Sequence, residues 1–517
     1  MLIEDQIVQT HPRSTARAAR GWWITCLIVG SVAVIASLTN AWVPGPWLDE
    51  GVTLLAMERS WTSLFRMLNT MDAVHGLYYI LMHAWGDIVG VTMFSARIPS
   101  GIAVGVATVV TMALGRVLVD RRTGVFAGLV FCFLPSVTWM GSEARSPAIA
   151  TAATALTMLF LLAAMKRQRL GWWLAYGATL LFSLHIFMFT ALVFMALPLI
   201  MLAGRQPRSQ WVRFVASSGL VGLASLPLVV VCVSQRQQVS WIGEPTLLDA
   251  AESPVVVWFS GFGTSWPRVA LILGLLAACI PWLYWALSRS PWWLKLGNQR
   301  SLAVATILAW MILPIALAFC VSWLGPNIYV DRYLMTTTPA LALMLGLVAR
   351  SVGRQAVVAP VILGLLFVPT WLAQRAPDCK LPTRAAAQIV DRIRLPSEAV
   401  LFLSDNSLIR ALPGHSWTRL TSVVYPQSFV GLRDLNLGTR FEESLLTRES
   451  TVPLRSVPER LNQVNRIIVI SPTEPSDMSR DDLAFLLERG FAPEHTERVT
   501  SRLGTWDVSI YVRRVPS

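Results

Sequence analysis

Two adjacent acids, Asp49 and Glu50, follow the first long apolar run of the chain in the stretch WLDEG. A carboxylate there suits a general base that takes a proton from a hydroxyl. It equally suits an ordinary helix start, where acids are favoured by the macrodipole. Company tips the balance. The same loop supplies Asp72, His75 and Tyr78 in MDAVHGLYY, and its otherwise apolar composition favours a carboxylate whose pKa burial raises. MGSEARSPA places Glu143 and Arg145 at another boundary of an apolar run, and GPNIYVDRYLMTTTPA does the same for Asp331 and Arg332, flanked by Tyr329 and Tyr333. As surface ion pairs such charges are worth about 0–1 kcal/mol. As a site they offer forked arginine donors that match a phosphate, with Glu143 placed to position a sugar. Arg97 precedes a ProSer pair and suits either snorkelling to headgroups or a phosphate contact. His185 stands alone and reads as a satisfied interfacial histidine.

These residues must be positioned by membrane helices. The chain has 517 residues, 54% hydrophobic and 14% charged; a soluble protein carries about 25% charged residues. Candidate spans are 22–42, 98–117, 124–140, 146–164, 171–186, 187–203, 212–233, 268–287, 301–321, 333–349 and 356–373. Every second short loop is basic, holding Arg13, Arg17 and Arg20, then Arg116, Arg121 and Arg122, then Lys166, Arg167 and Arg169, then Arg205, Arg208 and Arg213, then Arg289, Lys295 and Arg300, and last Arg350 and Arg354. The positive-inside rule makes that side cytoplasmic. It also accounts for the net charge of +13 without nucleic acid, since no basic stripe is interleaved with aromatics. The opposite loops carry the acids.

The stretch 76–90 is apolar enough to suggest a twelfth crossing, but that would invert every later loop. It is therefore expected as a juxtamembrane helix in the outer interface, with 51–70 as a second amphipathic helix of the same loop. The expected domains are a cytoplasmic N-terminus at 1–21, a membrane domain at 22–373 with a first outer loop at 43–97, and an extracytoplasmic α/β domain at 374–517. In the last, helix-like runs at 383–395 and 480–490 alternate with strand-like runs at 399–405, 466–472 and 508–514. The basic N-terminus precedes an apolar run without a small-residue cleavage site, so that run is expected to be a retained span rather than a signal peptide. The six cysteines show no CxxC pair or Cys/His cluster of metal spacing.

The succession Asp49–Glu50, Asp72-x-x-His75-x-Leu77-Tyr78-Tyr79, Arg97-Ile-Pro-Ser100, Ser142-Glu-Ala-Arg145 and Asp331-Arg-Tyr333 resembles bacterial GT-C glycosyltransferases, of the family 39 or dolichyl/polyprenyl-phosphate-mannose mannosyltransferase-like kind. The match runs over roughly the first 350 residues. Two positions depart from the family pattern. HisGlyLeu at 75–77 stands where HisProPro is usual, and SEAR is followed by Ser146 and Pro147 rather than an aromatic. The composition, with Arg over Lys and many Trp, resembles actinobacterial proteins, whose envelopes use polyprenyl-phosphate mannose and arabinose.

The resemblance implies a GT-C fold of about eleven spans and transfer with inversion from a polyprenyl-phosphate sugar, mannose first and arabinofuranose as the alternative. The implied acceptor is a cell-envelope glycan, glycolipid or protein on the outer face. Asp49 would be the base. Arg97, Arg145 and Arg332 would neutralise the leaving phosphate, and Glu50, Asp72, His75, Tyr78, Glu143, Tyr329 and Asp331 would line the substrates. No metal or other cofactor is demanded. A transporter should hold its charges near mid-membrane and show inverted repeats; these charges sit at one boundary. A non-catalytic assembly factor would keep its activity in the tail without Asp49.

Overall fold

The computed structural model describes residues 12–259, 288, 297, 299–352, 358–396, 398–404 and 417–514. Its membrane part opens with α1 (Pro12–Leu38) and a loop bearing α2 (Leu48–Glu58), α3 (Trp61–Thr70) and α4 (Gly76–Val89). Then follow α5 (Met93–Leu118), α6 (Arg121–Phe133), α7 (Pro135–Met140), α8 (Pro147–Arg167), α9 (Leu170–Ile186), α10 (Ala191–Phe194), α11 (Leu197–Ala203), α12 (Arg208–Ser234) and α13 (Leu247–Phe259). After residue 298 come α14 (Gln299–Leu324), α15 (Thr338–Val352) and α16 (Val358–Gln374).

Among the described residues six helices are long and apolar enough to cross a membrane: Ala19–Leu38, Met93–Leu118, Pro147–Arg167, Arg208–Ser234, Gln299–Leu324 and Asp331–Ser351. Shorter apolar helices at Leu170–Ile186 and Met188–Ala203 coincide with two further expected spans. The expected 124–140 span is broken into α6 and α7. Pro135 has no N–H to continue α6 and starts α7 instead. The expected span at 268–287 lies outside the described residues, as do Cys279, Arg289 and Lys295. The chain is a polytopic helical membrane protein with a small C-terminal α/β unit.

Lipid gives helices no hydrophobic reason to associate, so small residues that permit close contact do the work. Gly30 of α1 and Gly105 of α5 face each other: a Cβ on Gly105 would lie 2.5 Å from Val34 and 3.1 Å from the Gly30 carbonyl. Gly115 of α5 meets Gly124 of α6, where a Cβ on Gly115 would lie 2.6 Å from the Gly124 Cα. Trp173 and Trp310 are fully buried, with their indole N–H groups on Gln210 Oε1 at 3.1 Å and the Thr336 carbonyl at 3.0 Å.

The first loop departs from expectation in two ways. The 51–70 run is two helices rather than one, broken at Arg59 and Ser60, with the Ser60 hydroxyl capping α3 by accepting from the Ser63 N–H. Asp49 and Glu50 do not sit on the end of the first span. That helix stops at Leu38, and the two acids open the first turn of a new helix.

In the tail, α17 (Thr383–Ile393) and α19 (Asp477–Glu488) flank a sheet of β1 (Ala399–Phe402), β2 (Arg433–Asp434), β3 (Arg466–Pro472), β4 (Phe491–Ser501) and β5 (Gly504–Arg513), with α18 (Leu420–Val424) beside it. Strand order is β2-β1-β3-β5-β4; β1 pairs in parallel with its two neighbours, and β3, β5 and β4 pair antiparallel. Alternation sends Val400, Phe402, Ile468 and Ile470 to one core, and Leu401, Ile467 and Val469 to the other. The tail docks on the first loop. The buried Arg59 donates to the carbonyls of Ser444 (3.0 Å) and Leu446 (2.5 Å), and Ser63 Oγ donates to the Glu442 carbonyl (2.6 Å).

Candidate active site

Asp49 lies in the first turn of α2, where the dipole favours a negative charge. Consecutive helical residues point in different directions, and here the directions separate two chemistries. Asp49 faces a cavity of about 670 Å³, while Glu50 turns into the protein and is fully buried.

The Glu50 carboxylate accepts from Arg97 Nε (2.7 Å), Arg97 Nη2 (2.8 Å), Lys380 Nζ (2.7 Å), the Ala144 N–H (2.9 Å) and the Trp47 N–H (3.3 Å). Burial pushes its pKa up, but Arg97 and Lys380 outweigh this and hold it below the usual carboxylate range. One side chain thus ties together α2, α5, the 141–146 turn and the tail linker. Glu143 completes the cluster, with Oε1 3.6 Å from Lys380 Nζ, and burial drives its carboxyl upward.

Arg97 is therefore no phosphate contact. Its remaining donors go to the carbonyls of Ala41, Pro44 (2.9 Å) and Gly45 (3.0 Å), so all five N–H groups are spent inside the protein. Tyr78 is likewise fully buried and does not line the cavity.

Five of the sequence candidates do meet at the cavity: Asp49, Asp72, His75, Arg145 and Arg332. Arg145 Nη2 lies 3.3 Å and Arg332 Nη2 3.7 Å from Asp49 Oδ2. Arg145 also donates to Tyr79 Oη (3.0 Å) and His75 Nε2 (3.2 Å). Because a guanidinium only donates, Nε2 must be the unprotonated nitrogen, and Nδ1–H then donates to Ser146 Oγ at 3.0 Å. The ring stacks on Phe187 with planes 2° apart. Burial first, then Arg145 and Arg332, hold His75 neutral by lowering its pKa well below the usual value.

Tyr79 donates to Asp72 Oδ2 at 2.9 Å. Asp72 adopts the left-handed conformation (φ 59°), and glutamines from the turn that follows α12 satisfy the turn it starts: Gln238 Oε1 accepts the Asp72 N–H (2.8 Å) and Gln235 Oε1 the Ala73 N–H (2.9 Å). Arg332 is held among the rings of Trp47 (5.1 Å), Trp241 (5.4 Å) and Tyr333 (5.5 Å). Tyr329 and Asp331 fall on its far side. They line a separate space of about 420 Å³ with Glu244, Asp249 and Glu252.

Sequence reading missed the rest of the cavity wall. The end of α12 supplies Cys232 and Val233, the turn after it supplies Arg236, the 188–189 turn supplies Met188 and Phe189, and the tail supplies Leu381, Trp417, Arg502 and Leu503. Lys380 carried a usable signal: the chain has three lysines, at 166, 295 and 380, and only this one falls on the side expected to be acidic. Altogether four arginines face two aspartates across the lining. Among the described residues no group of three or more His, Cys, Asp or Glu is arranged to hold a metal ion.

The family model for dolichyl-phosphate-mannose-protein mannosyltransferase matches residues 76–234. The structure of ArnT from Cupriavidus metallidurans in the apo state superposes with a TM-score of 0.54 at 14% identity, covering 95% of this chain and 98% of that one. The same protein bound to undecaprenyl phosphate superposes with a TM-score of 0.50 at 14% identity, with the same coverage. No curated protein matches the chain. The fold is that of the GT-C class, and the chain is a multi-pass membrane glycosyltransferase of that class.

Proposed function

We propose that the chain transfers a sugar, mannose in our reading, from a polyprenyl-phosphate donor to a cell-envelope glycan, glycolipid or protein acceptor, with inversion, on the outer face of the membrane. The observation that carries this is a partly exposed carboxylate, Asp49, at the cavity wall between two arginines that are each shared with other partners.

In one displacement the acceptor oxygen bonds to the anomeric carbon, the bond from that carbon to the phosphate oxygen breaks, and the electron pair leaves with the phosphate. The acceptor proton goes to Asp49. Arg145 and Arg332 hold Asp49 loosely, at 3.3 and 3.7 Å rather than the roughly 2.7–2.9 Å of a tight charged hydrogen bond. A phosphate competes for both, and as it gains charge on bond cleavage it draws them from the carboxylate, freeing the base as it is needed. The lining's surplus of two positive charges matches the near-dianionic phosphate monoester that leaves. The family description names a dolichyl-phosphate-mannose enzyme, and the ArnT relative is seen with undecaprenyl phosphate; both favour a lipid-phosphate donor here. The apolar wall from α12, a helix whose flank is largely exposed, suits a prenyl chain.

Asp49→Asn keeps shape and removes basicity. Sugar transfer from a synthetic polyprenyl-phosphate mannose by purified protein should fall about 100-fold or more with little change in donor binding. Near-normal turnover in this variant, with an inactive Asp72→Asn or Glu143→Gln, would move the base to that residue.

A further inference from the structure

The tail brings to the cavity wall a residue that the transfer chemistry above does not use. Trp417 forms part of the cavity wall. Arg448, from a different segment of the tail, lies over one face of its ring, with the guanidinium carbon 3.7 Å from the ring centre. Arg448 is 8% exposed, yet its Nε and Nη1 have no hydrogen-bond partner. A buried guanidinium with idle donors is costly unless something else satisfies them. Beside it is a gap of about 20 Å³, bounded also by Gly51 and Val52 of α2, a size that admits one hydroxyl or one water. Burial lowers the Arg448 pKa to about 10, while Asp49 and Asp72 pull the other way, so Arg448 stands within the field of the acids at the reacting end of the cavity.

We propose that Trp417, backed by Arg448, is a carbohydrate platform through which the tail binds the sugar portion of the acceptor. The reasoning is chemical. An indole held rigid by a cation on one face, and set in a cavity wall, offers the flat apolar surface on which the C–H side of a pyranose stacks. Arg448, with its idle Nε–H and Nη1–H, borders the small gap beside the indole, which has room for one hydroxyl of such a sugar. The platform belongs to the tail, whereas the apolar wall assigned above to the donor lipid belongs to α12, so donor and acceptor reach Asp49 from different sides. This rests on the transfer reading given above.

The test uses the full chain in lipid nanodiscs without donor, with methyl α-D-mannopyranoside and an α-linked mannobiose as probes and binding read by saturation-transfer NMR. Trp417→Ala should weaken binding about tenfold, the size of one good aromatic stack. Trp417→Phe should keep most of the affinity and shows that the fold survives. Arg448→Met, which retains bulk but no donors, should fall between the two. Undecaprenyl phosphate affinity should be unchanged in all three. Equal glycoside binding in Trp417→Ala, or no binding by wild type, overturns the platform. A parallel loss of undecaprenyl phosphate affinity puts Trp417 on the donor side and overturns the acceptor assignment. Glycoside binding that depends on Trp417 in a chain unable to use the lipid donor would leave the platform standing and sink the transfer reading instead.

Discussion

Asp72 keeps its carboxyl buried in a left-handed turn, and both features bear on how it behaves. Burial raises its pKa against the pull of Arg145 and the Tyr79 hydrogen bond. For an acid raised in the folded state, the stabilising contribution is fully present below the unfolded value of about 3.9 and is lost as pH climbs through the folded value. Asp72→Asn lacks this titration. Its amide oxygen still accepts from Tyr79, and asparagine tolerates the φ of 59°. The melting temperature of the variant minus that of wild type should therefore rise from near zero at pH 4 to a positive value at pH 8. A difference that stays constant over this range would mean Asp72 is ionised throughout. Asp49, Asp72, His75, Arg145 and Arg332 were legible in the sequence because charges at the edge of apolar runs stand out against their surroundings. Arg97 and Glu50 stood out equally, yet spacing gives a residue's depth in the membrane and not its direction, so their burial in one closed cluster was hidden.

At the scale of elements, the cluster of Glu50, Arg97, Glu143 and Lys380 joins pieces far apart in the chain, and its energetics differ from those of the surface pairs. Lys380 is 1% exposed and comes from the linker behind α16, whereas Arg392, on α17, pairs with Glu497 while largely exposed. Removing one partner of a buried pair strands the other charge, at a cost of about 3–5 kcal/mol; an exposed pair is worth about 0–1 kcal/mol. Lys380→Met should accordingly destabilise the protein by several kcal/mol in denaturant titration, and Arg392→Met by less than about 1 kcal/mol. Similar costs for the two would show that the cluster relaxes or admits water. Helices were the easiest elements to read, since α5, α8, α12 and α14 each carry a long apolar run. The break at Pro135 and the split of 51–70 depended on local capping and on contacts with the tail. The β4–β5 hairpin carries the cavity residues Arg502 and Leu503 at its turn, and its strand at 491–501 was not read at all. Most of that strand is solvent-exposed, so it lacks the apolar alternation by which strands are recognised.

Over the whole molecule, one end of the helical bundle carries the cavity, the first loop and the docked tail, and the other carries the short basic turns. Arg350 pairs with Asp120 at 2.8 Å, and Gln299 Nε2 donates to the Val117 carbonyl at 2.8 Å, so the ends of α15, α5 and α14 gather there with Arg121 and Arg122. The gathering follows from chain order, because each crossing returns the chain to the opposite end. The positive-inside rule turns this geometry into a prediction of orientation: the basic end should face the cytoplasm, and the cavity should open on the side where the proposed lipid-linked sugar would be presented. Single cysteines test it, introduced after the native ones are replaced. Arg122 lies in the exposed turn at the basic end, and Arg480 is exposed on α19 of the tail. In intact cells a membrane-impermeant maleimide should label Arg480→Cys and spare Arg122→Cys until the membrane is permeabilised. The reverse pattern would place the cavity inside. It would also undo the assignment of the donor, because an active site on the cytoplasmic face has direct access to nucleotide sugars and no need of a sugar carried across on a lipid.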